Sequence, residues 1–271
     1  MKIYSRPECQ PAILFAICRY LHGRKGESVP KDEIVKELRP LRSEKISRSE
    51  KEVKANIDLG VELKLLEENK GGAVKLAKAL RDSGDLRISK KVFLKELRTC
   101  VLKKPVGGFI FAEREPRKNT ADFVPTLAWW LGRSPNNGFP ANRSIGNRNL
   151  LEEDGVEPKL VQNEEQWACF RRLAVSLGFM IPMRKGNREL LFPSLTIPFS
   201  DFFDDFDKGS MNMKGTDGLL KKLRTAFPMI DNTTLANEVD NYIAHGEFVR
   251  EVEGADLGPA VFEALKNLDC Q

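Results

Sequence analysis

The 271-residue chain is 41% hydrophobic and 31% charged, a globular composition with room for about two domains, each able to own a core. No apolar run reaches the roughly 18 residues of a membrane span, and five scattered cysteines exclude a disulfide framework and suit reduced thiols in a cytoplasm. The net charge of +5 is unevenly spread: residues 1–104 carry 25 Lys+Arg against 15 Asp+Glu, whereas residues 200–271 carry 7 against 14, so the front half points to a polyanion.

In chain order, the opening MKIYSRPECQPAILFAICRYL does not read as a signal peptide, because Pro11 and Arg19 break its apolar segment. Residues 11–22 are predicted helical, with Ile13, Leu14, Ile17, Tyr20 and Leu21 on one side. Ser28 and Val29 suit a short strand. Pro30 then starts a second helix, KDEIVKEL, with Asp32 and Glu33 well placed against the helix dipole. The connection after it holds Arg39, Arg42, Lys45 and Arg48, one positive charge every three residues.

Ser49 and Glu52 stand in a Ser-x-x-Glu relation and predict the start of a third helix, with Val53, Ile57, Gly60 and Val61 as its buried stripe. The period changes after Leu63. Leu65 and Leu66 precede the turn Asn69-Lys70-Gly71-Gly72, beyond which Val74 and Leu76 alternate as on a half-buried strand. Helix, strand, glycine turn and strand in this order resemble the back half of a winged helix-turn-helix domain. In such a domain Arg42, Lys45, Arg48, Ser49, Lys51 and Lys54 fall on the turn and leading end of the helix facing DNA, and Lys70 on the wing tip. Asn56 and Lys54 are the plausible hydrogen-bonders to bases. A solvated surface is the plain alternative, since Glu44, Glu50 and Glu52 are interspersed.

Residues 77–104 suggest a loop and then a basic amphipathic helix from about Ile88, with Val92, Phe93, Leu97, Cys100 and Val101 on its apolar side. The earlier pattern then returns 114 residues on. Pro11 corresponds to Pro125, Ser49 to Asn163, Val53 to Trp167, Leu59 to Leu173, Leu63 to Leu177 and Leu65 to Phe179. A period above a hundred residues indicates two domains of one type rather than a solenoid. The second copy has the turn Arg184-Lys185-Gly186-Asn187, where Arg184, Lys185 and Arg188 are further candidates for DNA contact, with Arg171 and Arg172 on the helix beside them. Glu164 and Glu165 at its helix start repel phosphate, so this copy is expected to bind proteins or to dimerise. Trp129, Trp130 and Trp167 are expected in its core or in a seam between domains rather than on bases.

In Ser200–Ser210, SDFFDDFDKGS, the glycine comes one place early for a calcium loop, and no closing Glu follows. Phe199, Phe202, Phe203 and Phe206 have helical spacing instead. Further helices are expected over Thr216–Ala226 and Asn232–Ala244, and GADLGPAVFEALKNLD has the pattern of one more. The predicted fold is mainly α with short β-hairpin wings. It comprises winged-helix domains over residues 1–80 and 122–199, a linker with a basic helix over 81–121, and an acidic helical region over 200–271.

Catalytic patterns are missing. His22 and His245 lie far apart, and Cys9, Cys18 and His22 make only half a zinc site. No phosphate-binding loop, nucleophile elbow or zinc-protease motif occurs. Neither enzymatic activity nor a cofactor or metal is expected.

Three segments, PAILFAICRYL, NEEQWACFRRLAVSLGFM and LGPAVFEALKNLD, are similar to those of DpdG, an accessory protein of bacterial clusters that place deazaguanine in DNA and restrict foreign DNA. That resemblance implies a non-enzymatic subunit working beside a helicase or nuclease. The expected partners are double-stranded DNA, bound through the first domain, and proteins of a larger complex, with a homodimer as a further option. The alternative is a protein-binding scaffold attached to a DNA-acting ATPase or nuclease, with incidental DNA affinity.

Overall fold

The computed structural model of the chain describes residues 10–38, 46–82, 88–102, 123–132, 138–141, 161, 164–207 and 215–230. It is mainly helical, with two small antiparallel sheets, and divides into two compact units. The described residues up to 102 form one unit and those from 123 onward the other.

In the front unit, α1 (Pro11–Gly23) opens on a proline, whose missing N–H is no loss in a first helical turn. Leu14, Ile17, Cys18 and Leu21 form its buried stripe. A turn with positive φ at Lys25 and Gly26 leads to β1 (Val29–Pro30) and α2 (Lys31–Leu38), which buries Ile34 and Val35. Arg24 joins α1 to α2, donating to the Tyr20 hydroxyl at 2.6 Å and to Glu33 at 2.7 Å.

Next comes α3 (Ile46–Glu62), with Val53, Ile57, Leu59 and Gly60 turned inward. Gly60 is needed where it stands: a Cβ there would lie 2.8 Å from Leu66 Cδ1 and 3.0 Å from Leu14 Cδ1. A hairpin of β2 (Leu66–Glu68) and β3 (Ala73–Leu76) follows, and β1 pairs with β3 to give the order β1-β3-β2. Asn69 shapes the turn, its Oδ1 accepting the N–H groups of Gly71 and Ala73. A single-turn α4 (Lys78–Arg81) sits where the sequence suggests a loop, being too short to show a period. The basic helix, α5 (Lys90–Leu102), lies in the same unit, with the Phe93 ring 5.2 Å from that of Phe15.

The second unit begins its described part with α6 (Phe123–Leu131), buried on every side. Then come β4 (Phe139–Pro140), α7 (Glu164–Ser176), β5 (Met180–Lys185) and β6 (Arg188–Pro193), with sheet order β4-β6-β5. Trp129, Trp130, Phe139, Trp167 and Phe170 form one buried ring cluster, in which Trp130 Nε1 donates to the Phe179 carbonyl at 3.1 Å. The tryptophans are therefore core residues. The phenylalanine-rich segment is helix α8 (Thr196–Asp207), where Phe199 and Phe202 pack on Phe227, just past α9 (Gly215–Ala226). The helices expected over Asn232–Ala244 and in GADLGPAVFEALKNLD lie outside the described residues.

The ends of α3 and α7 are built alike. Leu63, Lys64 and Leu65 donate their N–H groups to Leu59, Val61 and Gly60; Leu177, Gly178 and Phe179 donate theirs to Leu173, Val175 and Ala174, each partner 114 residues on. This is a Schellman stop, whose pivot must take positive φ. The pivot is Lys64 (φ 60) in one unit and Gly178 (φ 80) in the other.

One helix start differs from the expectation. Ser49 does not cap α3, which begins at Ile46. Residues three apart share a face anywhere along a helix, so Ser-x-x-Glu does not by itself mark a first turn.

Two outcomes follow. Gly178→Ala is expected to destabilise the protein by about 1–3 kcal/mol, because the positive φ is strained for alanine and the new Cβ would lie 2.9 Å from Ile197 Cβ. Lys64→Gly stays within about 1 kcal/mol of wild type in urea unfolding, since it relieves strain but frees the unfolded chain. Separately, burial, and after it Cys100, push the Cys18 thiol from 9.0 up to about 12. Between those values the unfolded chain loses a proton that the native state keeps, so stability falls as pH rises, by about 1 kcal/mol per unit. Urea unfolding above pH 9 should show that slope, and Cys18→Ala should flatten it.

Candidate nucleic-acid interface

On α3 the outward positions are Lys51, Lys54 and Asp58, at helical spacing. Around this face the lysines meet carboxylates to different extents. Lys54 Nζ lies 3.4 Å from Asp32 Oδ1 on α2, with side-chain exposures of 56% and 90%, a pair held weakly enough to yield to a phosphate. Lys31 is more deeply engaged, at 2.9 Å from Glu68 Oε1 and 3.2 Å from Asp58 Oδ1. Those bonds raise its pKa, Glu68 contributing most, and they tie α2 to α3 and to the hairpin. The face is thus a mosaic of lysine and carboxylate rather than a purely basic surface. Sequence periodicity puts the lysines on the outer side of α3, as found, but does not show that Asp32 comes alongside Lys54, because that depends on how α2 lies against α3.

At the hairpin turn Lys70 is exposed, while Lys75 Nζ pairs with Glu67 Oε2 at 3.1 Å across the two strands. Arg42 and Lys45 lie outside the described residues. Arg48 belongs to the first turn of α3, and Ser49 is half-buried in the same helix.

Asn56 is not a base reader. It is fully buried, its Oδ1 accepting the Gln10 N–H at 2.8 Å and its Nδ2 donating to the Glu52 carbonyl at 2.7 Å. It lies three residues from Val53 and four from Gly60, which puts it on the core side of α3. There its amide satisfies the backbone at the start of α1.

In the second unit Arg184, Lys185 and Arg188 surround the two-residue turn Gly186-Asn187, with positive φ at Gly186. All three are exposed, and none makes an ion pair among the described residues. Arg171, by contrast, is half-buried and donates to the Ala141 carbonyl at 2.9 Å, and Arg172 is half-buried as well. They are held by the fold, whereas Arg184, Lys185 and Arg188 stand exposed together at the hairpin tip. Glu164 and Glu165 are exposed in the first turn of α7.

Among the described residues no group of three or more His, Cys, Asp or Glu could hold a metal ion, and no helix is long and apolar enough to cross a membrane.

Replacing Asn56 by alanine should cost about 1–3 kcal/mol of stability, because the Gln10 N–H loses its acceptor together with the side chain's second bond. Denaturant unfolding measures it. A loss below about 0.5 kcal/mol would mean that Asn56 is not a structural anchor.

No curated protein and no solved structure matches the chain. The DpdG-like family matches it over residues 1–271, its whole length, and the chain therefore belongs to the DpdG-like family.

Proposed function

We propose that the chain is a non-enzymatic, DNA-binding subunit of a bacterial DNA-modification or defence complex, built on two winged helix-turn-helix domains in tandem. Family membership supports the setting. The architecture is supported by the recurrence 114 residues apart of one helix stop leading into one hairpin, with a short third strand beside each hairpin. The observation that carries DNA contact is the pair of exposed lysines, Lys51 and Lys54, one turn apart on the outer face of α3, followed by exposed Lys70 at the next turn. Such residues hold a phosphate backbone without reading its sequence. Burial of Asn56 leaves that face without the amide that a base reader would use.

A second reading, a protein-binding scaffold with incidental DNA affinity, draws on the carboxylates of the same face, Asp32 and Asp58. A gel shift on random duplex across a salt series separates the two. If the first holds, changing Lys51, Lys54 and Lys70 together to Glu weakens binding and makes the log–log salt slope shallower by about 2–3, at roughly 0.9 for each phosphate no longer neutralised. Unfolding of the variant should stay cooperative. Unchanged duplex binding by the folded variant would favour the scaffold.

A further inference from the structure

The two hairpins differ on the face turned away from their cores. In the front unit Glu67 stands opposite Lys75 on that face, and the two form an ion pair. In the second unit the positions 114 and 117 residues on are Ile181 and Phe192, opposite each other, followed by the pair Met183 and Leu190. Met180, Leu191 and Pro193 point the other way, into the core. Ile181 is 38% exposed and Met183 56%. Leu190 and Phe192 close over Gly138, where a Cβ would lie 2.5 Å from Phe192 Cζ. The ion pair of the front unit shows that a hairpin of this kind does not need apolar residues there. The exposed Ile181 and Met183, which extend the half-buried Leu190 and Phe192 into a strip, are therefore surplus to folding.

Three observations define what covers it. First, β5 is an edge strand with Pro182 at its middle, which has no N–H to offer an added strand, so the occupant lies on the face rather than along the edge. Second, the outward residues run from Ile181 to Lys185, roughly 13 Å at about 3.3 Å per residue, which matches about nine residues of α-helix. Third, Lys185 and Arg188 end the strip on the same face, opposite one another and without an ion pair among the described residues. Their charge favours carboxylates and the negative C-terminal end of a helix.

From these features we infer that the outer face of the β5–β6 hairpin docks an amphipathic helix of a partner protein. Its apolar stripe covers Ile181, Met183, Leu190 and Phe192, and its acidic last turn meets Lys185 and Arg188. This rests on reading the second unit as a partner-binding module, and it reassigns the hairpin's cations from DNA to protein.

The test uses the full chain and two fluorescein-labelled amphipathic peptides of fourteen residues, with leucines at three-four spacing and either two glutamates or two lysines in the last turn. The acidic-ended peptide should bind at least about tenfold tighter. Met183→Asp should weaken that binding about tenfold or more without changing the melting temperature, since the side chain is over half exposed. Lys185→Glu with Arg188→Glu should reverse the preference between the peptides. Equal binding of the two peptides, or no effect of Met183→Asp, overturns the inference. So does a dimer in light scattering that Met183→Asp abolishes, or a loss of duplex binding in that variant. Peptide binding that fails while the salt-dependent gel shift of the front unit persists removes only this inference. The converse removes only the DNA reading.

Discussion

Both units depend on one backbone event, the stop that ends α3 and α7. An α-helix leaves its last carbonyls without partners, and in each unit two of them are taken by the pivot and the residue after it. That closure turns the chain back at once. Leu65 and Phe179 enter the core fully buried, and their own carbonyls accept the N–H groups of Ala77 and Ser194 from the end of the hairpin. Helix, turn and hairpin are thereby locked by consecutive bonds, and the lysines of α3 keep a constant relation to the tip at Lys70. The direction of the outer face follows from this stop.

The same stop tolerates different chemistry. A lysine occupies the left-handed pivot of the front unit, where the adjoining space is open enough for a side chain to reach solvent. In the second unit Ile197 crowds the pivot and only glycine fits. Core residues diverge in parallel. Val53 fills on α3 the place that Trp167 fills on α7, and the larger ring belongs to an aromatic cluster with Trp129, Trp130 and Phe139. Recurrent hydrogen bonds with changed side chains explain how two segments 114 residues apart share few residues yet keep one pattern.

Much of this is legible in the sequence because it depends on local spacing. The stripe Val53, Ile57 and Gly60, the turn at Gly71-Gly72, the short strand at Val29 and the helical phenylalanines of α8 all follow from period or turn chemistry. What the sequence hides depends on contacts between elements. Asn56 looks like a surface amide until α1 is set beside it, where the Gln10 N–H needs an acceptor. Lys54 looks like an unopposed cation until α2 brings Asp32 within reach. Arg171 sits on an amphipathic helix like any exposed arginine, yet the carbonyl of Ala141, thirty residues earlier, claims it. A one-dimensional pattern records which side of an element faces inward, but not which neighbour arrives there.

Hairpin length explains where the two units are free to differ in role. The front hairpin has strands of three and four residues, the second has six in each, so residues 181–189 stand clear of the core and are exposed without interruption. Packing no longer decides side-chain identity there. In solvent the default for such a hairpin is alternating polar residues, as the Glu67–Lys75 pair shows in the shorter one. Isoleucine and methionine on that face forgo this favourable hydration, a cost that the proposed helix contact would offset. The front unit, with its lysine–carboxylate mosaic and no comparable strip among the described residues, suits an electrostatic partner that salt can displace. The second suits one held by burial, which salt leaves in place.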